Sequence, residues 1–125
     1  MNQAKQLRKA LMLELGAFVV LVASVSLLWR DNLLLCAVAL AECLLAIRLW
    51  HGRFDLSLLF VIGGLGSLAE AVFVRMGVWR YANPSLLGIP FWFPFAFGTT
   101  GMIGGRLAQT LAALWEATRP SSPAA

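Results

Sequence analysis

Residues 11–29 read LMLELGAFVVLVASVSLLW, an apolar run interrupted by one charged side chain, Glu14. A helix rises about 1.5 Å per residue, so this run is long enough to cross the roughly 30 Å hydrocarbon core of a bilayer. Similar runs follow at residues 33–50, 56–74 and 86–105. The sequence therefore predicts an all-α membrane protein, a four-transmembrane-helix bundle. We expect one integral membrane domain over residues 1–119, with an amphipathic helix at 106–118 and a disordered tail at 120–125.

The composition agrees with a membrane location. Hydrophobic residues make up 60% of the 125 residues and charged residues only 13%, whereas a soluble domain carries about 25% charged residues. The tryptophans lie at or near the ends of the apolar runs, as expected for indole rings that favour the headgroup region. Since the four runs use most of the chain, the sequence leaves no room for a separate soluble domain.

The basic residues predict the orientation of the helices. Seven basic residues lie on the side of the two termini and the second connection: Lys5, Arg8, Lys9, Arg48, Arg53, Arg106 and Arg119. Three lie on the other side: Arg30, Arg75 and Arg80. Because basic residues accumulate in cytoplasmic segments, both termini are predicted to be cytoplasmic. The net charge of +4 is thus a signal of topology and does not indicate nucleic-acid binding.

The connections between the apolar runs differ in length. Residues 30–32 and 51–55 form short turns, which make consecutive helices antiparallel neighbours; Asp31 or Asn32 could cap the second helix, and Asp55 the third. Residues 77–94 contain three prolines and two glycines, which oppose regular helix. We expect a structured Pro/Gly-rich loop before helix four, either a cap or a partly re-entrant segment on the non-cytoplasmic side.

Small residues are concentrated in the third and fourth runs. Gly63, Gly64 and Gly66 lie in the third, and residues 98–105 of the fourth contain four glycines. Small residues let two helices approach closely in a membrane. We therefore expect these helices to pack against each other, with a dimer contact as the alternative.

Glu14 and Glu42 are acidic side chains within apolar runs, where ionisable residues are uncommon and often functional. Glu14 lies near the cytoplasmic end, where it could reach the interface or pair with Arg48. Glu42 lies midway along the second run, and burial favours the neutral form of a carboxyl. It is interpreted as a hydrogen-bond donor to a neighbouring helix, or else as a proton carrier or the counter-ion of a cationic ligand.

Glu70 lies toward the other end of the third run. One interpretation is a salt bridge with Arg75 or Arg80. The other makes Glu70, Trp79, Arg80 and Tyr81 one wall of a pocket that residues 88–94, including Trp92, close. Aromatic side chains with one acid and one base suit an amphipathic or flat apolar ligand. The candidate ligand-binding residues are thus Glu42, Glu70, Trp79, Arg80, Tyr81 and Trp92; no catalytic residue, cofactor or metal ligand is assigned.

The stretches EAVFVRMGVWRY (70–81) and GIPFWFP (88–94) resemble a pattern in small, uncharacterised bacterial multi-pass membrane proteins, E…GxWxY…GIPxWxP. The resemblance implies the bacterial inner membrane but no activity. A similar order of an acid, GxY and GxP occurs in the longer membrane enzymes of carotenoid biosynthesis. The size and the position of Glu14 are also similar to those of the small multidrug-resistance transporters, although the pattern of their third span is missing here.

These observations leave three hypotheses for function. The first is a small integral membrane protein that binds or helps to move a hydrophobic or amphipathic ligand. The second is a membrane enzyme that acts on an isoprenoid or carotenoid-like lipid, with Glu42 or Glu70 as general acid. The third is a structural subunit of a larger membrane complex, with residues 98–105 as its contact face. The expected partners are the lipid bilayer, a hydrophobic small molecule, and a second copy or another membrane protein.

Overall fold

A computed structural model describes residues 2–123, and over these residues the chain forms four helices. They are α1 (Gln3–Leu28), α2 (Asn32–Leu49), α3 (Arg53–Arg75) and α4 (Phe93–Thr118). The first three are long and apolar enough to cross a membrane. α4 has the length but a lower mean hydropathy, since it contains four glycines, a proline and Arg106. The all-helical prediction is confirmed, and residues 124–125 of the expected tail lie outside the described residues.

The starts of α2 and α3 are both stabilised by an aspartate side chain that accepts a backbone hydrogen bond. The side chain of Asp31 accepts a hydrogen bond from the backbone N–H of Leu34 at 3.0 Å, which satisfies one of the free donors of the first turn. In α3 the cap position is occupied by Gly52, and Asp55, three residues later, accepts from the Gly52 N–H at 3.2 Å. Asp55 therefore contributes to the start of α3 from its first turn and is not the cap residue itself.

α4 is the central helix of the bundle, because it packs against each of α1, α2 and α3. α1 and α2 also pack together, whereas α3 makes its extensive contacts with α4. The short turn at residues 51–52 therefore joins α2 and α3 without making them closely packed neighbours. They flank an apolar groove of about 440 Å³ instead, and Pro94 and Phe95 of α4 also line it.

Glycines bring α3 and α4 into close contact, as the sequence predicted. The Cα atom of Gly63 would lie 3.3 Å from a Cβ atom added at Gly98, and the Leu59 carbonyl oxygen only 2.7 Å from it. A Cβ atom at Gly101 would meet Ile62 at 2.6 Å, and one at Gly105 would overlap Leu58. Most of the predicted contact face of α4 is thus occupied by α3 of the same chain.

Residues 76–92 form a loop that returns over the α1–α2 turn. Gly77 and Gly88 both have φ of +80°, which glycine adopts without the steric cost that a Cβ atom brings. The loop is tied down by Asn83, whose side chain donates to the Trp29 carbonyl at 2.9 Å, and by Asn32, whose side chain donates to the Asn83 carbonyl. An ordered cap results.

The helix that follows begins later than the apolar run suggested. The predicted fourth span starts at residue 86, but α4 starts at Phe93. Leu86 and Ile89 instead close a tight turn through reciprocal backbone hydrogen bonds of 3.0 and 3.1 Å. Pro94 lies in the first turn of α4, where the missing N–H of a proline leaves no helical hydrogen bond unmade. The helix then continues without a break through the segment predicted as amphipathic.

Candidate functional site

The carboxylate of Glu70 is bound by two aromatic side chains of the loop. One oxygen of Glu70, Oε2, accepts a hydrogen bond from the Trp79 indole N–H at 2.8 Å and another from the Tyr81 hydroxyl at 3.0 Å. Gly77 reverses the chain just after α3, and this brings both donors back over the last turns of the helix. Within residues 2–123 Glu70 forms no ion pair with Arg75 or Arg80. The Trp79 indole and the Tyr81 phenol thus take the place of the salt bridge that one interpretation predicted.

The aromatic residues continue inward from Tyr81. Its ring meets Trp92 edge-on, with ring centroids 6.4 Å apart, and Phe93 at 5.9 Å. Trp92 is only 8% exposed. The structure thus brings together three of the predicted wall residues, Glu70, Trp79 and Tyr81, with Trp92 of the predicted closing segment, whereas Arg80 is exposed and makes no ion pair among the described residues.

The cavity beside these aromatic residues is small. Tyr81 and Trp92 line a space of about 50 Å³ together with Asn32, which is room for water but far below the roughly 300 Å³ at which ligand pockets begin. A larger groove of about 350 Å³ lies nearby, between α3 and Leu87, but none of the predicted ligand-binding residues lines it. The contacts of Glu70 with Trp79 and Tyr81 connect the loop to α3.

Tyr81 has a strongly perturbed hydroxyl. Burial, and then the hydrogen bond to the Glu70 carboxylate and its negative charge, raise the pKa of Tyr81 well above the usual value of about 10. The phenol is therefore kept protonated as a hydrogen-bond donor. This agrees with a structural role, because loss of the proton would place two negative charges against each other.

Glu42 has a different environment, at the middle of the bundle. Its Oε1 atom contacts the Ser24 hydroxyl of α1, and its Oε2 atom is buried without a hydrogen-bond partner among the described residues. Buried polar atoms are normally paired, so an unpaired carboxyl oxygen calls for an explanation. Among the described residues, Glu42 and Trp92 are thus the predicted site residues with an unpaired buried polar atom, the Oε2 atom of Glu42 and the Nε1 atom of Trp92.

Glu42 lines a groove of about 370 Å³ between α1 and α2. The α1 wall consists of apolar side chains and Gly16, where a Cβ atom would meet nothing within 4 Å. Thr99 and Ile103 of α4 also line the groove, and the Thr99 hydroxyl donates to its own helix at Phe95. From Glu42 the groove runs along α2 to Trp50, a rise of about 12 Å over eight residues.

A third acidic cluster was not predicted as a unit. Glu14 is 2% exposed, and its Oε1 atom accepts from the Thr110 hydroxyl at 2.9 Å and lies 3.8 Å from Nε of Arg106. The same guanidinium donates to Asp55 at 3.1 and 3.3 Å and lies over the Trp50 ring, 5.7 Å from its centroid. One arginine therefore joins α1, α3 and α4 at the end of the bundle that holds the N-terminus.

This cluster corrects the predicted partner of Glu14. The sequence placed Arg48 near Glu14 on the basis of depth, but the structure pairs Glu14 with residues of α4 because that helix packs directly on α1. Arg106 and Thr110 lie four residues apart, so they share one face of α4. The four-residue spacing of Arg106 and Thr110 was the signal present in the sequence. It identifies Glu14 as their partner only when α1 is known to pack against that face of α4.

Comparison with protein-family models, curated proteins and solved structures finds no match for this chain. The assignment of a function therefore depends on the geometry of the carboxylates. Each of the three carboxylates accepts a hydrogen bond from another element, and Oε2 of Glu14, like Oε2 of Glu42, is buried without a partner among the described residues. Glu42 combines a buried free oxygen with an adjacent groove of ligand size, so the α1–α2 groove is the candidate functional site.

Proposed function

We propose that this chain is an integral membrane protein that binds a hydrophobic or amphipathic small molecule in the α1–α2 groove, with Glu42 as the polar anchor. The observation that carries the proposal is that Glu42, an acidic side chain within an apolar helix, lines a groove of about 370 Å³. Ligand pockets are typically apolar, measure about 300–1,000 Å³ and contain a few polar groups that orient the ligand.

The alternative location around Glu70 has less support. There, one carboxylate oxygen already accepts two hydrogen bonds, from Trp79 and Tyr81. The cavity that Tyr81 and Trp92 share measures about 50 Å³. A ligand at that position would have to displace the contacts that hold the loop, whereas the groove that Glu42 lines has room for a ligand.

We further propose that all four helices span the membrane of a bacterium, with both termini in the cytoplasm. The distribution of basic residues supports this orientation. The lower hydropathy of α4 is compatible with a span because α4 is the central helix, and three of its four glycines, Gly98, Gly101 and Gly105, face α3. A helix surrounded by protein needs fewer lipophilic side chains than one that faces lipid.

The test compares two matched substitutions on α2. Leu44 and Leu45 are 58% and 57% exposed; Leu45 lines the α1–α2 groove and Leu44 the α2–α3 groove. The wild type, Leu45→Trp and Leu44→Trp are extracted in mild detergent and examined by native mass spectrometry, with lipidomics of the bound molecules. We expect a hydrophobic molecule bound to the wild type and to Leu44→Trp, and at least tenfold less bound to Leu45→Trp.

Two results would contradict the proposal. One is the absence of a specifically bound molecule from the wild type. The other is equal occupancy in Leu44→Trp and Leu45→Trp, since filling the groove should exclude its ligand. The same spectra report whether the chain carries a second copy or another protein.

A further inference from the structure

We infer that a phospholipid with an anionic headgroup binds at the C-terminal end of α3, with its phosphate on Arg75 and the upper part of one acyl chain beside Leu87. The site is the α3–loop groove, a space of about 350 Å³ that six residues line: Ala71, Val72, Val74, Arg75, Leu87 and Gly88. None of these residues lines the α1–α2 groove, so the inference goes beyond the proposed function and does not depend on it.

The charge of the α3–loop groove comes from one residue. Of the described residues that line it, Arg75 is the only charged one; it is exposed and forms no ion pair within residues 2–123. A guanidinium presents its donors in a planar fork that fits the oxygen atoms of a phosphate. The ammonium of a zwitterionic headgroup would meet no carboxylate among the lining residues, which favours an anionic headgroup.

The position of Arg75 fits the headgroup region of a membrane. Arg75 is the last residue of α3, which is long and apolar enough to cross a bilayer. Trp79, four residues later, is 44% exposed, and tryptophan rings favour the membrane interface. The phosphates of a bilayer and Arg75 are thus expected at the same depth.

An exposed apolar face of α3 leads up to Arg75. Four large side chains on this face are between 50% and 64% exposed and recur every three or four residues, as residues on one side of a helix do: Val61, Leu65, Leu68 and Val72. From Val61 to Arg75 the helix rises about 21 Å, which exceeds the roughly 15 Å depth of one hydrocarbon leaflet. An acyl chain can therefore extend along α3 while the phosphate stays at Arg75.

The loop adds a second wall at this end of α3. The backbone hydrogen bonds between Leu86 and Ile89 close a turn in which Leu87 has a φ of +54°, a conformation uncommon for residues other than glycine. Gly88 lies against Val74, since a Cβ atom at Gly88 would be 2.5 Å from Cγ1 of Val74. This close contact holds the Leu87 side chain, which is 73% exposed, beside α3 in a position to pack against an acyl chain.

The experiment measures lipid binding by native mass spectrometry in a neutral detergent, where no charged bilayer surface contributes. Dioleoyl-phosphatidylglycerol and dioleoyl-phosphatidylcholine are titrated separately; they share their acyl chains and differ in headgroup charge. Arg75→Gln removes the charge of the groove. The matched control is Arg80→Gln, because Arg80 is an exposed arginine of the following loop that does not line the groove. Leu87→Gly removes the apolar wall at a backbone conformation that suits glycine.

We expect phosphatidylglycerol to bind the wild type and Arg80→Gln with affinities equal within about twofold, and Arg75→Gln about fivefold more weakly. Leu87→Gly should weaken the binding of both lipids, since it removes an apolar contact. Equal affinity of the wild type for the two lipids, equal losses in Arg75→Gln and Arg80→Gln, or unchanged binding in Leu87→Gly would each overturn the inference.

A further variant separates this site from the α1–α2 groove. Leu45→Trp fills the α1–α2 groove and should leave the binding of phosphatidylglycerol unchanged, because Leu45 does not line the α3–loop groove. Loss of phosphatidylglycerol from Leu45→Trp with retention in Arg75→Gln would place the lipid in the α1–α2 groove. That result would overturn this inference and support the proposed function.

Discussion

The contact between α3 and α4 allows a direct test of the packing, through the substitution Gly98→Ala. A Cβ atom at this position would lie 2.7 Å from the Leu59 carbonyl oxygen and 3.0 Å from Leu59 Cδ1. The oxygen belongs to the backbone of α3, so the two helices must move apart to admit the methyl group. Overpacking of this kind costs about 1–3 kcal/mol.

The size of the effect follows from a matched substitution on the same helix, Gly104→Ala. A Cβ atom at Gly104 would meet nothing within 4 Å. Both substitutions gain up to about 1 kcal/mol of helix propensity, so Gly104→Ala should be neutral or slightly stabilising. The propensity term cancels when the two variants are compared. We therefore expect Gly98→Ala to be less stable than Gly104→Ala by about 1–3 kcal/mol.

The assay is reversible unfolding in mixed micelles, with sodium dodecyl sulfate as the denaturant and circular dichroism as the readout. Gly98→Ala should unfold at a clearly lower detergent fraction than Gly104→Ala, and the wild type should lie between them or close to Gly104→Ala. Equal midpoints for the two variants would refute the reasoning, because they would show that α3 does not approach Gly98 as closely as described.

Two further predictions concern the polar clusters. Tyr81 is the single tyrosine of the sequence, so the ultraviolet absorbance of its phenolate reports its pKa directly. We expect that pKa to lie well above about 10 in the wild type and to be lower in Glu70→Gln. The protonated Tyr81 hydroxyl stabilises the folded state fully below about pH 10, and this stabilisation is lost as the pH rises through the folded-state pKa. A normal titration in the wild type would contradict it. Asp55→Ala should lower the free energy of unfolding by about 2–3 kcal/mol, which is less than for a fully buried ion pair because the Arg106 side chain is 32% exposed. The control is Glu116→Ala, which breaks an exposed ion pair and should change the free energy of unfolding by less than about 1 kcal/mol. Equal losses in the two variants would contradict the role of Asp55.

The helices could be predicted from the sequence because each apolar run is long and local signals mark several of its ends. The cap of α2 is Asp31, one of the two residues that the sequence offered, and the packing of the glycine-rich helices against each other was predicted correctly. The start of α4 was not, because the hydropathy of residues 86–92 is compatible with a span while residues 86–89 form a turn with positive φ at Leu87 and Gly88. The apolar composition therefore predicted which segment could enter a membrane, whereas the backbone conformation of residues 86–92 determines where α4 begins.

The carboxylates show a second limit of prediction from sequence. Their positions within apolar runs indicated that they are unusual, but not which residues they contact. Thr110, the partner of Glu14, lies 96 residues away in the chain, whereas Ser24, the partner of Glu42, lies on the preceding helix. For Glu70 the sequence left open a salt bridge with Arg75 or Arg80 and a grouping with Trp79, Arg80 and Tyr81; its donors are the indole of Trp79 and the phenol of Tyr81. Distance along the chain does not identify such pairs, because they depend on which helix faces which.

The position of α4 explains why α2 is flanked by two grooves and why only one of them is a good candidate site. Glycines draw α3 onto α4 and leave α3 without close packing on α2, which produces the α2–α3 groove of about 440 Å³. The described residues that line that groove carry no charged side chain, whereas the smaller α1–α2 groove contains Glu42. A ligand held by apolar contact alone would gain at least as much in the larger groove. Preference for the smaller one would therefore measure the contribution of the Glu42 carboxyl, which makes the α2–α3 groove the internal control for the proposed site.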